Sequence, residues 1–343
     1  MIKHTHTQES EINFGKLEER IMQINDPLLS KVNNVREMLY EVSIQNKPAL
    51  IMATGGSKVI AYYLKSVMER MGTGIIVEII EPRDYFYKAN REMFSNLIAI
   101  SASGNTNGIE EALLDFQKNK YLLCENKESE HYQVVSWGNE LYEHEKSFIS
   151  LATSLGPITL ILEAITSLNM DIGKKEIQRI NDKVKLLLEK SIKKVDGLPI
   201  SFKDVSLIQI MSGYDTEVAS HTLESNLTEV GLCAPVIHDK GSFCHGRSNL
   251  IFQYPDSHFI YLSHQIKTLD DILIKGIKEE YGNISIFDTH DLDDDNIFWK
   301  NYYLLLQMYY LSKKIAEDKN IDLTMPEYNP QIIRKIYKYK GEM

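Results

Sequence analysis

The stretch IAISASGNTNG, residues 98–108, sets three hydroxyls around a glycine at the end of an apolar run. Ser101, Ser103 and Thr106 follow Leu97–Ile100, with Ala102 and Gly104 between them. A second such place is Thr54-Gly55-Gly56-Ser57, after the apolar run PALIMA (48–53). Small hydroxyl side chains leave room for an anion and donate hydrogen bonds to its oxygens. Glycine lets the backbone turn tightly and approach a ligand closely. A helix starting just beyond adds unpaired N–H groups and the positive end of its dipole. Ser57, Ser101, Ser103 and Thr106, with Gly55, Gly56, Ala102 and Gly104 beside them, therefore read as a cradle for one phosphate. The same hydroxyls would also serve as ordinary helix N-caps. Neither loop has the Gly-Lys-Ser/Thr ending of a nucleotide-binding P-loop, and GxGxxG is absent, so no dinucleotide is indicated.

Such loops need a strand before them and a helix after. In KVIAYYLKSVMERMG the apolar residues fall at 59, 60, 63, 64, 67 and 68, which is helical spacing closed by Gly72. GIIVEII (74–80) and LIAISA (97–102) read as strands, and a helix is expected from about 106 to 118, with Ile109, Ala112, Leu113 and Phe116 on one face. Strands alternating with helices imply a parallel sheet covered on both sides. CENKESEHYQ (124–133) reads as a surface loop. FISLATSLGPITLILEAITSL is broken by Gly156-Pro157 and Glu163 and reads as a buried core helix rather than a membrane span. A charged amphipathic helix (173–195) then bridges to a second alternation: VSLIQIMSG (205–213), a helix ending at Gly231, the strands SHFIYLS and ISIFDT, and a long Tyr-rich final helix. TGGSKVIA (54–61) and SGYDTEVA (212–219) occupy the same strand–loop–helix position, Gly55 with Gly213 and Ala61 with Ala219. Asp215 stands where Ser57 does, so a duplicated domain with one anion site is expected.

The 343 residues suffice for two domains, and 43% hydrophobic with 25% charged residues excludes a disordered or fibrous class. A formal charge of -10 argues against a nucleic-acid partner, which needs a basic face. Three cysteines, Cys124, Cys233 and Cys244, fit a reducing compartment better than a disulfide framework. No apolar run has the length of a membrane span, and the first twenty residues lack a signal-peptide core. A cytoplasmic protein with no membrane partner is expected. The histidines outside residue 245 show no HxxxH or HExxH pattern, so neither a metal nor a cofactor is expected.

SASGNT after an apolar strand, with an upstream TGGS loop, resembles the sugar isomerase (SIS) family of phosphosugar-binding domains. The resemblance runs from about residue 27 to 338. It implies an α/β protein of two tandem SIS domains, each a three-layer αβα sandwich around a five-stranded parallel sheet. The layout it implies is a helical arm (1–26), a phosphate-binding domain (27–172), a linker helix (173–195), a second domain (196–325) and a tail reaching the active site (326–343).

Within LTEVGLCAPVIHDKGSFCHGRSNL (227–250), Glu229 and His245 are spaced like a glutamate and a histidine in the isomerase half of the glucosamine-fructose-6-phosphate aminotransferases. The resemblance gives Glu229 the transfer of a proton between sugar C1 and C2, and His245 the opening of the ring. Pro330 and Lys335 match the tail of the same enzymes, whose lysine reaches the site. A carboxylate partly shielded from water suits proton transfer beside a carbonyl. Histidine moves protons near neutral pH, and a lysine at a carbonyl could form a Schiff base or stabilise an enediolate. On residue type alone, Glu229 is equally a helix-end carboxylate, and Lys335 one of several basic tail residues beside Lys338 and Lys340.

The sequence departs from the family's pattern in Ala102, where a polar residue is usual, in Cys244 for lysine and in Arg247 for proline. Arg247 is placed to contact a second anionic group. Nothing resembles a glutaminase domain, so glutamine-dependent amination is not expected. The resemblance implies a homodimeric enzyme with a shared active site, acting on a sugar phosphate as an aldose–ketose isomerase or a ketosamine-phosphate deglycase or deaminase. Its other implication is a non-catalytic sugar-phosphate sensor that uses the same pocket.

Overall fold

Strands that are apolar on both faces can be buried only in a sheet with helices on each side. The computed structural model, which describes residues 26–71, 74–106, 108–125, 127–137, 149, 151–168 and 174–323, builds two such sheets. The first contains β1 (Ala49–Met52), β2 (Val77–Ile80), β3 (Asn96–Ile100), β4 (Asn119–Cys124) and β5 (Gln133–Ser136), all parallel, in the order β2-β1-β3-β4-β5. Its side chains alternate between two cores. Ala49, Ile51, Ile98, Ile100, Tyr121 and Leu123 point into one, and Leu50, Met52, Leu97, Ala99, Leu122 and Cys124 into the other. The first core is closed by α1 (Asp26–Gln45), α2 (Ser57–Met68) and α4 (Leu151–Thr166), and the second by α3 (Ile109–Asp115).

This strand order has a switch point. The chain leaves β1 through α2 toward β2 on one side, and leaves β3 through α3 toward β4 on the other, so a crevice opens between the ends of β1 and β3.

After α5 (Lys174–Asp196) the pattern repeats with β6 (Leu207–Ser212), α6 (Glu217–Val230), β7 (Ala234–Asp239), a short α7 (Lys240–Cys244), β8 (His258–Leu262), α8 (Thr268–Tyr281) and β9 (Ile284–Phe287). The order β7-β6-β8-β9 copies β2-β1-β3-β4. Among the described residues this second sheet has four strands, not the five expected. The final helix α9 (Ile297–Lys319) buries Tyr302, Tyr303, Leu304, Leu305 and Leu306 in succession, so it is enclosed on all sides. It packs against α5 and α6, and also touches α2 and α4 of the first half.

Three local expectations are corrected. The helix expected over 106–118 is confined to Ile109–Asp115, because Gly108 has φ +82 before it and Phe116 is extended after it. Gly156-Pro157 does not break the core helix, which runs through Pro157. The stretch 124–133 begins in β4 and ends in β5, so of its described residues only 125 and 127–132 lie outside the strands. The matched glycines of the repeat also differ: Gly55 has φ +55, whereas Gly213 is extended. No helix among the described residues is long and apolar enough to cross a membrane, and the three cysteines are free thiols.

Candidate functional site

The two hydroxyl loops leave the same edge of the first sheet, because β1 and β3 are neighbours with Met52 opposite Ala99. Ser57 opens α2, and no side chain caps that helix: Gly56 occupies the cap position with φ −56 and ψ −24. On the neighbouring loop Ser101 is buried and its Oγ lies 2.7 Å from Thr106 Oγ1. Ser103 is exposed, and its Oγ accepts the Asn105 N–H at 3.3 Å. Ala102 is half-buried against the first core. Gly104 turns the chain at φ +66, a region costly for residues with a β-carbon. Its carbonyl accepts a hydrogen bond from Lys127 Nζ at 3.0 Å. Lys127 also faces Glu110 at 3.5 Å. This cation is a loop residue that sequence reasoning missed; only the pairing of β3 with β4 brings it to Gly104.

The first switch point borders the second half along the seam of α2 and α6. The two helices run antiparallel there: Gly56 faces Glu229, Tyr62 stacks on His221 with centroids 3.9 Å apart, and Lys65 pairs with Glu217 at 3.0 Å. Between them lies a cavity of ≈ 210 Å³ whose lining includes Gly55, Lys58, Tyr62, His221, Glu224 and Glu229. Glu229 Oε1 is 3.7 Å from where a β-carbon on Gly56 would stand, and it accepts the Ser225 hydroxyl at 3.0 Å. Glu229 is open to solvent at the cavity mouth. The protein around its carboxyl nevertheless raises its proton affinity from that of an ordinary glutamate. Burial is the main cause, the Ser225 hydrogen bond opposes it, and the Glu224 charge adds to it. Burial also lowers His221, so its imidazole favours the neutral form.

His245 lies elsewhere. It ends α7, which follows the far end of β7, whereas Glu229 lies just before the near end of the same strand. The two also lie on opposite faces of the second sheet. Leu223 and Leu227 of α6 join the core on one face, while Phe243 of α7 packs with Met211, Phe259 and Tyr261 on the other. His245 and Arg247 are both exposed, with Gly246 turning the chain between them at φ +106. Within one chain the structure thus joins Glu229 to the first switch point and keeps His245 and Arg247 away from it. Pro330 and Lys335 lie outside the described residues.

No family model matches the chain, and no curated protein matches it. Solved structures do. A candidate phosphosugar isomerase from Clostridium difficile 630 matches with TM-score 0.69 at 13% identity, over 96% of this chain and 98% of that one. The C-terminal domain of glucosamine-fructose-6-phosphate aminotransferase from Francisella tularensis matches with TM-score 0.68 at 14% identity, over 94% of this chain and 99% of that one. The chain has the tandem SIS fold. Glucosamine-6-phosphate deaminase from Thermotoga maritima shares it too, with TM-score 0.62 at 12% identity, over 92% and 98% of the two chains.

In this SIS fold the second switch point, between β6 and β8, is built differently from the first. Ser212 Oγ lies 2.9 Å from Thr216 Oγ1, and Gly213 N–H donates to Thr216 Oγ1 at 3.0 Å, so these hydroxyls are engaged with one another. Asp215 faces His264 at 3.9 Å and puts a carboxylate where the first SIS domain has Ser57. Close to β9, the fold gathers Asp288, His290 and Asp291, a set no sequence spacing revealed. Asp288 already pairs with Lys194 Nζ at 3.3 Å and with the His290 ring, and Asp291 accepts the Tyr303 hydroxyl at 2.7 Å. The positive charge such a cluster attracts is supplied by Lys194.

Proposed function

We propose that the protein binds a sugar phosphate and moves a proton between its C1 and C2, as an aldose–ketose isomerase or as a deglycase or deaminase of a ketosamine phosphate. The observation that carries this reading is the seating of Glu229 against Gly56, which sets a carboxyl of raised proton affinity beside an uncapped helix start at a switch point. Ser57, Ser101, Ser103 and Thr106, with the backbone of Gly55, Gly56, Ala102 and Gly104, hold the phosphate. Glu229 takes the proton from the carbon beside the carbonyl while the electron pair moves onto the carbonyl oxygen. It then returns the proton to the adjacent carbon, while the neighbouring hydroxyl gives its proton to the former carbonyl oxygen and becomes the new carbonyl. Lys335 partners the carbonyl oxygen.

Ring opening falls to His245. Because the chain's own His245 is on the far face of the second sheet, the reading requires a homodimer in which each subunit supplies His245 and Arg247 to the other's site. The free thiols support a cytoplasmic setting. The names carried by the structural neighbours, phosphosugar isomerase and glucosamine-6-phosphate deaminase, point to the same substrate class.

The test is proton exchange at sugar C2, followed by NMR in deuterated water over a panel of hexose and aminosugar 6-phosphates. Exchange in the wild type and its loss in Glu229→Gln is the expected result. Cys244 and Arg247, which depart from the family's residues around His245, favour a second reading, a sugar-phosphate sensor. Thermal stabilisation by a phosphosugar with no exchange in any case would establish that reading instead.

A further inference from the structure

The first sheet has a second concavity at its other edge. The hydroxyl loops follow the carboxyl ends of β1 and β3, whereas a cavity of ≈ 420 Å³ lies where β3 and β4 begin. That volume falls within the roughly 300–1,000 Å³ of small-molecule sites. Its lining comes from the turns Tyr85–Tyr87 and Arg91–Met93, the end of α3, and the residues just before β4. Two buried rings, Tyr85 and Phe116, contribute to it.

The charges on this lining fall into two groups. Asp115 and Arg91 are matched. Asp115 accepts the Tyr85 hydroxyl at 3.0 Å and faces Arg91 Nε at 3.6 Å, and the Arg91 guanidinium lies over the Tyr85 ring, 5.4 Å from its centroid. Lys118 and Glu92 are not matched. Lys118 Nζ donates to the carbonyls of Glu92 and Phe94, at 2.5 and 2.9 Å, and meets no carboxylate among the described residues. The two carbonyls fix the ammonium and leave one of its three N–H bonds unused. The Glu92 carboxylate meets no cation among the described residues, although its own backbone anchors Lys118.

A simple anion that suits Lys118 is opposed by Glu92, and a simple cation meets the reverse. A ligand carrying both charges satisfies both groups. The turns that line the cavity also expose Phe86, Tyr87 and Met93, which favours an apolar body on that ligand.

We propose that this cavity is a second binding site, for a free α-amino acid with a large apolar side chain. The ligand's carboxylate takes the unused N–H of Lys118, and its ammonium pairs with Glu92. Its side chain lies against the apolar residues of the two turns. The site is separate from the phosphate cradle and stands whether or not the phosphosugar reading does.

Three probes isolate the two charges. L-Phenylalanine carries both, 3-phenylpropanoate lacks the ammonium, and 2-phenylethylamine lacks the carboxylate. In NMR titrations at pH 7, phenylalanine is expected to bind the wild type at least about fivefold more tightly than either analogue. Glu92→Gln should remove its advantage over 3-phenylpropanoate, and Lys118→Met its advantage over 2-phenylethylamine. The Glu92 side chain is exposed, so Glu92→Gln should fold normally and decides the matter even if Lys118→Met, which frees two carbonyls, does not fold. Absence of phenylalanine binding overturns the proposal. So does equal affinity for the three probes, or a preference over 3-phenylpropanoate that survives in Glu92→Gln.

Discussion

Glu229 Oε1 lies 3.7 Å from the position a β-carbon would take on Gly56, across the seam between the two SIS domains. Gly56 has an ordinary helical φ of −56, so a side chain there strains no backbone; its absence matters for space. Gly56→Ala should fold normally and crowd the carboxylate only at van der Waals distance. Gly56→Val places further methyls between Glu229 and the phosphate loop. It is expected to lower kcat/KM at least about tenfold, with the melting transition retained. Turnover and circular dichroism on the two variants would check this, and full activity in Gly56→Val would separate Glu229 from the chemistry.

The environment of Glu229 also sets a pH dependence. A base works when deprotonated, so kcat/KM should rise with pH through a limb above the ordinary glutamate value of 4.5, because burial raises this carboxyl. The Ser225 hydroxyl stabilises the ionised form by donating to Oε1 at 3.0 Å. Ser225→Ala therefore moves the limb to higher pH, whereas Glu224→Gln, which removes a like charge, moves it to lower pH. Shifts in the same direction for both variants would contradict this account.

The separation of His245 from Glu229 gives a complementation test. Glu229→Gln and His245→Ala should each be inactive alone. Equal mixtures that exchange subunits form half heterodimers, each with one intact site, and should recover about a quarter of wild-type activity. No recovery after verified exchange would exclude a site shared between subunits.

Much of this architecture was legible in the sequence, for identifiable reasons. β1, β3, β6 and β8 are central strands, buried at every residue, so they read as apolar runs stopped by Gly or Ser. β7 was not legible. It is an edge strand whose APVIHD is half-exposed, and Pro235 interrupts its apolar residues. β4 and β5 were hidden by the charged stretch between them. Glu229 was singled out by its spacing from His245, but the opposite placement of the two depends on which sheet face α6 and α7 cover, which spacing does not encode. Lys127 was hidden in the same way, by a contact that only strand order creates.

That contact is testable by itself. Lys127 holds the Gly104 carbonyl at 3.0 Å and lines up behind the 101–106 loop without belonging to the hydroxyl set. Lys127→Met keeps the length and removes the donor. It should raise KM for a phosphosugar several-fold with kcat nearly unchanged, because a held loop serves ground state and transition state alike. An equal fall in kcat would instead assign Lys127 to the reacting end of the substrate.

Far from the cavity, Glu163 ties stability to pH. It lies on α4, is 1% exposed, and has no hydrogen-bond partner for Oε2. Burial pushes its carboxyl up to about 8, from 4.5 for an exposed glutamate. Between those values the folded chain holds a proton that the unfolded chain has released. The protonated form therefore contributes its full stability below pH 4.5 and loses it as pH rises toward 8. The loss can reach roughly 5 kcal/mol, a large share of a typical domain's stability. Glu163→Gln keeps the shape and the polar group but does not titrate. In urea unfolding at pH 5 and pH 9, the variant should gain a few kcal/mol relative to wild type at the higher pH. A difference that stays constant between the two would mean that Glu163 ionises as readily in the folded chain as in water.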